Sequence, residues 1–224
     1  LGPGIVVTPR RLAGALGVDA GTLLTRPTPT QESPGGDLSE DVAALGAVLH
    51  SVGVLIPQGA LRSALGWDLV PVTVRRDGPL GVGSVQAFVD ADFEQHYFTL
   101  VEDEAHHDAL GALCAFDLVG NNTDRKSGHV LLALDGRIQG IDHGLMFHHE
   151  FKLRTVIWDF GGEPVPDWIK HSVAGLVDSP LPAPLADLLD PLERDALVTR
   201  ARALVEAPCF PIDETGRRYP WPLV

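Results

Sequence analysis

Lysine and cysteine are scarce in this 224-residue chain, and long apolar runs are missing. Cys114 and Cys209 lie far apart and fit no metal-binding spacing, so each is expected to be a small buried or half-buried side chain. No apolar run reaches the roughly 18 residues expected of a membrane span, because glycine and histidine interrupt residues 42–56. With few cysteines and no leader-like segment, the sequence predicts a protein of the reducing cytoplasm.

Positive charge is also in short supply. The chain has 17 Lys and Arg against 30 Asp and Glu, a formal net charge of -13. An acidic protein repels phosphate backbones and anionic lipid surfaces, so nucleic acid is not an expected partner. The apolar fraction of 45% and the charged fraction of 21% are typical of a globular protein, with room for one large or two small domains.

The stretch from residue 117 to 149 has the strongest local pattern. A polar loop leads into an apolar strand at 130–132, and the turn at Asp135-Gly136 is followed by a second strand. Asp-Gly between two apolar runs is a strong hairpin signal, and antiparallel pairing brings the outer ends of the hairpin together. Asp124 before the first strand and Asp142 after the second are therefore expected to converge, as in a metal-dependent phosphoryl-transfer site.

Two segments of this stretch resemble the phosphatidylinositol 3-/4-kinase-like family, in its actinobacterial branch. Asn122-Thr123-Asp124-Arg125 with the strand after it resembles the catalytic loop, and Ile141-Asp142-His143-Gly144 resembles the metal-binding Asp-Phe-Gly. Further matches are Gly66-Trp67-Asp68-Leu69-Val70-Pro71, a Gly-rich run at 75–86, Lys152-Leu153-Arg154-Thr155-Val156 and Pro220-Trp221-Pro222. The resemblance covers roughly residue 64 to the end of the chain.

The resemblance implies an α+β fold: a protein-kinase-like carboxy-terminal lobe, mainly helical, with one catalytic hairpin. The expected kinase-like domain is 61–224, with hinge-type strands in 67–89, a catalytic region at 106–150 and a helical tail at 165–224. Residues 90–104 are expected to form a surface connection, and residues 1–60 an atypical segment of helix and linker. The amino-terminal lobe is expected to be missing or degenerate, because a Gly-rich phosphate loop and a strand lysine are not recognisable.

The resemblance also assigns roles to side chains near the hairpin. Asp124 would orient the attacking hydroxyl and accept its proton, or it is an ordinary turn residue. Asp142 would bind the divalent metal, because a carboxylate is the hard oxygen donor that Mg²⁺ requires. Lys126 is either a contact to the transferred phosphate or a solvated loop lysine.

His129 stands where the family usually has an asparagine as second metal ligand. Imidazole suits Mn²⁺ or Zn²⁺ better than Mg²⁺, so either the metal preference is altered, His129 contacts a phosphate, or the second metal is absent. Asn121 and Asn122 are alternative amide ligands. By the same resemblance Gln86, Phe88 and Val89 lie near an adenine site; the alternative is an ordinary hairpin.

Three functions fit these patterns. The first is an ATP-dependent and Mg²⁺- or Mn²⁺-dependent kinase acting on an unknown alcohol, lipid or protein. The second is a pseudokinase, a nucleotide-binding or interaction module without turnover, which accounts for the missing phosphate-clamping lysine. The third is a metal hydrolase that uses zinc and a His/Asp cluster, formed by His143, His148 and His149 after Asp142 together with His129. The sequence leaves the oligomeric state open.

Overall fold

The computed structural model describes residues 56–78 and 81–224, with the backbone alone for residues 74–78 and 81–85. Two compact units are present. One consists of Ile56–Pro71 and Phe88–Val224, and the other includes the described residues 72–78 and 81–87. The helix and linker expected before residue 56, and the expected lack of a five-stranded amino-terminal lobe there, lie outside the described residues.

The smaller described unit is a β-hairpin. Strands β1 (Thr73–Gly78) and β2 (Gly81–Gln86) pair antiparallel, with Thr73 opposite Gln86. The Gln86 side-chain amide donates to the Thr73 hydroxyl at 2.8 Å. Of the hinge-type strands expected in 67–89, β1 begins only at Thr73 and β2 ends at Gln86. Residues 67–72 precede β1, since Pro71 has no N–H for a ladder.

A three-stranded antiparallel sheet lies in the larger unit. Its strands are β3 (Ala91–Asp92), β4 (Val130–Ala133) and β5 (Ile138–Gly140), in the order β3-β4-β5. The hairpin predicted from the Asp-Gly turn is confirmed, with Gly136 in the left-handed region at φ 86°. The surface connection expected at 90–104 is wrong in part, because it holds β3 and a short helix with buried Tyr97 and Leu100.

The larger unit also contains α-helices. They are α1 (Pro57–Leu65), α2 (Tyr97–Leu100), α3 (His107–Gly120), α4 (Asp167–Asp178), α5 (Ala183–Ala186) and α6 (Pro191–Glu206). Asp190 caps α6 by accepting from the Glu193 N–H at 2.9 Å, and the Glu193 side chain accepts from the Asp190 N–H at 3.0 Å. Within the expected helical tail at 165–224 the last helix ends at Glu206, and Pro208 and Pro211 follow it.

Helix α3 forms the centre of the larger unit. Every residue from Leu110 to Gly120 is buried, so this part of the helix is enclosed on all sides. Helix α6 packs against both α3 and α4, and α1 packs against α4 and α5. The end of α3 is therefore held firmly, which fixes the starting point of the loop that follows it. Among the described helices, none combines the length and the apolar character needed to cross a lipid bilayer.

Candidate functional site

Asn121 carries the chain from α3 into the loop that precedes β4. It adopts the left-handed conformation at φ 55°, which asparagine tolerates better than most residues. Its side-chain amide donates to the carbonyls of His148 (2.8 Å) and Glu150 (2.7 Å) and accepts from the Lys152 N–H (2.9 Å). These bonds use both N–H groups and one lone pair of Oδ1 in a residue that is 0% exposed, so the Asn121 amide is not open to a metal ion.

Arg125 is the buried hub of the loop. Its Nε and Nη2 each lie 2.9 Å from a carboxylate oxygen of Asp117, and both side chains are 0% exposed. Asn122 adds a third bond to that carboxylate, from Nδ2 at 3.0 Å. Asp117 is on α3, so this bidentate pair fixes the loop to the central helix.

The same guanidinium reaches both ends of the hairpin. Nη1 donates to the carbonyls of Ile141 (2.7 Å) and His129 (3.3 Å), and Nη2 lies 2.7 Å from His143 Nε2. A Cβ on Gly140 would lie 2.9 Å from the Leu113 side chain and 3.4 Å from Nη2, so this position favours glycine. Arg125 therefore holds the start of β4 and the end of β5 at one place.

His129 and Asp142 meet at that place. His129 Nε2 lies 3.5 Å from Asp142 Oδ2, while the Ile141 N–H donates to the His129 carbonyl at 2.9 Å. The pairing of Val130 with Gly140 brings the two side chains together. His129 comes just before Val130 in the chain, and Asp142 comes two residues after Gly140. Asp142 has φ 55°, and its side chain is 62% exposed, so its carboxylate is open to a ligand.

The ring of His129 can adopt a tautomer suited to metal binding. Its Nδ1 lies 3.1 Å from the Asp124 carbonyl and 3.4 Å from the Lys126 backbone N. In one tautomer Nδ1–H donates to the Asp124 carbonyl, and Nε2 carries a free electron pair. Nε2 and Asp142 Oδ2 are then two electron-pair donors that face one another. Metal-bound histidines commonly donate their other ring N–H in this way.

Burial lowers the pKa of His129 below its ordinary value. The charges of Arg125 and Lys126 act in the same direction, while those of Asp142 and Asp124 oppose it. A lowered pKa keeps the imidazole neutral at physiological pH, which is the state that binds metal ions.

Asp124 and Lys126 form an ion pair beside this site. Lys126 Nζ lies 2.8 Å from Asp124 Oδ2, and both side chains are partly exposed. The Asp124 N–H donates to the Asn122 side-chain carbonyl at 3.1 Å, which sets the turn. The loop thus places the ring of His129 against the backbone carbonyl of Asp124. The same ring faces the carboxylate of Asp142.

The three residues expected at an adenine site are divided between the two units. Gln86 belongs to the smaller unit, where its side chain bonds Thr73. Phe88 is exposed, with its ring 6.4 Å from that of Phe93, and Val89 is half-buried. Their role at an adenine site stays a prediction.

The histidine cluster does not assemble as a hydrolase site requires. His143 is buried, and its Nε2 faces Arg125, so that nitrogen is not open to zinc. His148 and His149 stack on one another with ring centroids 4.5 Å apart. Within residues 56–78 and 81–224, no three His, Cys, Asp or Glu side chains group as a metal site.

Sequence reasoning missed the buried hub. The sequence presents Arg125 only as part of a motif, and no local pattern links it to Asp117 or His143. One signal was available: Asp117 is an acid inside the apolar run of α3, and a buried acid needs a buried partner.

Comparison with known proteins gives one informative match. The chain is 39% identical, over 198 aligned residues, to Protein Rv2133c of Mycobacterium tuberculosis (strain ATCC 25618 / H37Rv). The match covers 72% of this chain and 71% of that protein. No protein-family model and no solved structure matches the chain.

Proposed function

The chain belongs to the family of Protein Rv2133c, and we propose that it is an ATP- and divalent-metal-dependent phosphotransferase acting on an alcohol group. The observation that carries the proposal is the 3.5 Å approach of His129 Nε2 to Asp142 Oδ2, next to the Asp124–Lys126 pair. The resemblance of this loop and hairpin to phosphatidylinositol 3-/4-kinase-like enzymes supports it as well.

The donor set at His129 and Asp142 fits a divalent cation. Mg²⁺ and Mn²⁺ bound with a nucleotide take only one or two protein ligands, and phosphate oxygens and water complete the shell. One carboxylate oxygen and one neutral imidazole nitrogen meet this need. Because imidazole is the softer donor, the pair favours Mn²⁺ over Mg²⁺. When bound, ATP would supply the phosphoryl group, and the metal would neutralise its charge.

Asp124 and Lys126 supply the remaining chemistry in this proposal. The carboxylate of Asp124 would orient the acceptor hydroxyl and take its proton. Lys126 Nζ, 2.8 Å from that carboxylate, would place a positive charge where negative charge develops. Both side chains are partly exposed, so an acceptor can reach them.

Arg125 is a positioning residue in this scheme. Its bonds to Asp117 and to the carbonyls of His129 and Ile141 orient the two metal ligands before any ligand arrives. A preorganised site loses less free energy to reorganisation than a loop that must order on binding. Arg125 and Asp117 are both fully buried, so the guanidinium and the carboxylate are held in one geometry.

A nucleotide-binding module without turnover is the second candidate. Its support is the distribution of lysine: the three lysines are Lys126, Lys152 and Lys170, none in the first half of the chain, where a kinase has its phosphate-clamping lysine. The two unpaired cysteines support a reducing, cytoplasmic setting for either activity.

The test is nucleotide binding, followed by turnover. Melting of the protein is measured with ATP plus Mg²⁺ and with ATP plus Mn²⁺, and a ligand at 100 times its Kd adds about 2.7 kcal/mol of stability. A shift that requires the metal supports a nucleotide site, and release of labelled ADP then separates the kinase from the module without turnover. If neither metal with ATP shifts the melting temperature, both candidates fail.

A further inference from the structure

A basic cavity opens beside the catalytic loop. Its volume is about 430 Å³, and Thr123, the residue before Asp124, forms part of its wall. Four of its lining residues are cations and none is acidic: Lys152, Arg154, Arg217 and Arg218. Such a concentration of positive charge is unexpected in a chain with a net charge of -13. We call this cavity the basic pocket.

Two of the four cations have no counter-ion. Arg154 and Arg217 are exposed, and within the described residues their side chains take part in no hydrogen bond or ion pair. Lys152 pairs instead with Glu150 at 3.0 Å, and Arg218 pairs with Asp213 at 3.7 Å and packs over the Phe151 ring at 4.7 Å. Arg154 and Arg217 are therefore available to an anion that enters the pocket.

The walls of the basic pocket are fixed to the catalytic loop through the backbone. The Arg154 N–H donates to the Asn122 carbonyl at 2.9 Å, and the Arg125 N–H donates to the Arg154 carbonyl at 3.0 Å. The Thr155 N–H donates to the Arg218 carbonyl at 3.1 Å, which holds the segment with Arg217 and Arg218 in place. The distance from the pocket to Asp124 is thus set by the fold.

We propose that the basic pocket binds the phosphate group of a phosphorylated alcohol, which is the acceptor of the phosphotransferase. The identification as an acceptor rests on the proposed function; the phosphate site does not. Guanidinium groups bind phosphate oxygens in a bidentate manner, and Arg154 and Arg217 supply two unpaired forks. The cavity is larger than one phosphate, so the alcohol part extends toward Thr123 and the neighbouring Asp124.

A soluble polyol phosphate and a phosphorylated lipid headgroup share this chemistry. The soluble source fits better, because a net charge of -13 repels an anionic membrane surface. Two arms of the experiment separate the sources. One uses glycerol 3-phosphate and inorganic phosphate in solution, and the other uses phosphatidylcholine vesicles with and without phosphatidic acid.

The experiment is calorimetric titration of the full chain at low ionic strength, without nucleotide or metal. Glycerol 3-phosphate should bind, and uncharged glycerol should not. The double variant Arg154→Gln/Arg217→Gln should weaken binding about tenfold or more, because charge-assisted hydrogen bonds are lost. Arg202→Gln on α6 is the matched control, since Arg202 is also exposed and lies outside the pocket lining; it should bind as the parent chain does.

The outcomes separate the pocket from the proposed function. If neither phosphate binds, or if Arg202→Gln weakens binding as much as the double variant, the pocket is not a phosphate site. If the parent chain sediments with phosphatidic acid vesicles while the double variant does not, that result assigns the phosphate to a lipid and overturns the soluble source. If phosphate binds in the pocket while ATP with either metal leaves the melting temperature unchanged, the acceptor role falls with the proposed function.

Discussion

Arg125 and Asp117 form a bidentate ion pair with neither side chain exposed to solvent. Nε and Nη2 each lie 2.9 Å from a different oxygen of the Asp117 carboxylate. The remaining guanidinium nitrogen bonds the Ile141 carbonyl. A pair in this position stabilises the site only while both partners are present, because either charge alone would be buried without compensation.

Removing one partner should therefore destabilise the protein strongly. We expect Arg125→Met to lower the free energy of unfolding by about 3–5 kcal/mol, measured by urea denaturation. The double variant Arg125→Met/Asp117→Leu should recover part of this loss, since it leaves no buried charge. Arg137→Met, which breaks exposed pairs with Asp135 and Asp68, is the control and should cost about 1 kcal/mol or less. Similar losses for both arginines would contradict the buried hub.

His143 should make stability depend on pH. Burial first, and then the charges of Arg125 and His129, hold the pKa of His143 well below its ordinary value. The unfolded chain therefore binds a proton that the folded chain does not, and stability should fall as pH drops below about 6.5. His143→Gln keeps a hydrogen-bond acceptor but does not titrate, so its loss of stability between pH 7 and pH 5 should be smaller. Parallel pH profiles for the two proteins would show that His143 is not responsible.

The two cysteines should differ in reactivity. Cys114 is buried, and burial raises the pKa of its thiol, whereas Cys209 is half-buried. Because the thiolate is the reactive form, a thiol reagent should label one cysteine quickly in the native protein and the second only after unfolding. In Cys209→Ser the rapid phase should disappear. Rapid labelling that persists in this variant would place Cys114 outside the core.

Local patterns predicted the hairpin well. The Asp135-Gly136 turn, the apolar strands and their convergent ends all follow from short-range rules, and the structure has them. The segment 90–104 was mistaken for a surface connection because its acids dominate the composition. Buried Tyr97 shows the error: its hydroxyl donates to Asp159 at 2.6 Å, a partner that local sequence cannot reveal.

The candidate site was predictable only where its residues lie close to the turn. His129 and Asp142 are brought together by strand pairing, which short-range rules reach. Arg125 was not predicted as a hub, because its partners come from α3 and from beyond β5. The basic pocket was equally out of reach, since Thr123, Arg154 and Arg217 are far apart in the chain and only tertiary contacts bring them together.

The metal preference should depend on His129. In the parent chain we expect nucleotide to bind more tightly with Mn²⁺ than with Mg²⁺, because imidazole is a soft donor beside the Asp142 carboxylate. His129→Asn replaces that donor with an amide oxygen and should shift the preference toward Mg²⁺. The measurement is the Kd of a non-hydrolysable ATP analogue with each metal. If the Kd is the same with Mn²⁺ and with Mg²⁺, and His129→Asn changes neither value, His129 only packs in the loop.

Asp142 tests the central claim most directly. Its carboxylate is exposed and faces His129, so Asp142→Asn should remove a metal ligand with little effect on folding. Asp195→Asn, which changes an exposed acid on α6, is the matched control. The decisive measurement is the Kd of a non-hydrolysable ATP analogue with Mn²⁺ for the parent chain and both variants. The account predicts a loss of at least about 100-fold for Asp142→Asn and none for Asp195→Asn, since even outer-shell partners of metal ligands contribute ~10–100-fold. Unchanged, metal-dependent affinity in Asp142→Asn would contradict it.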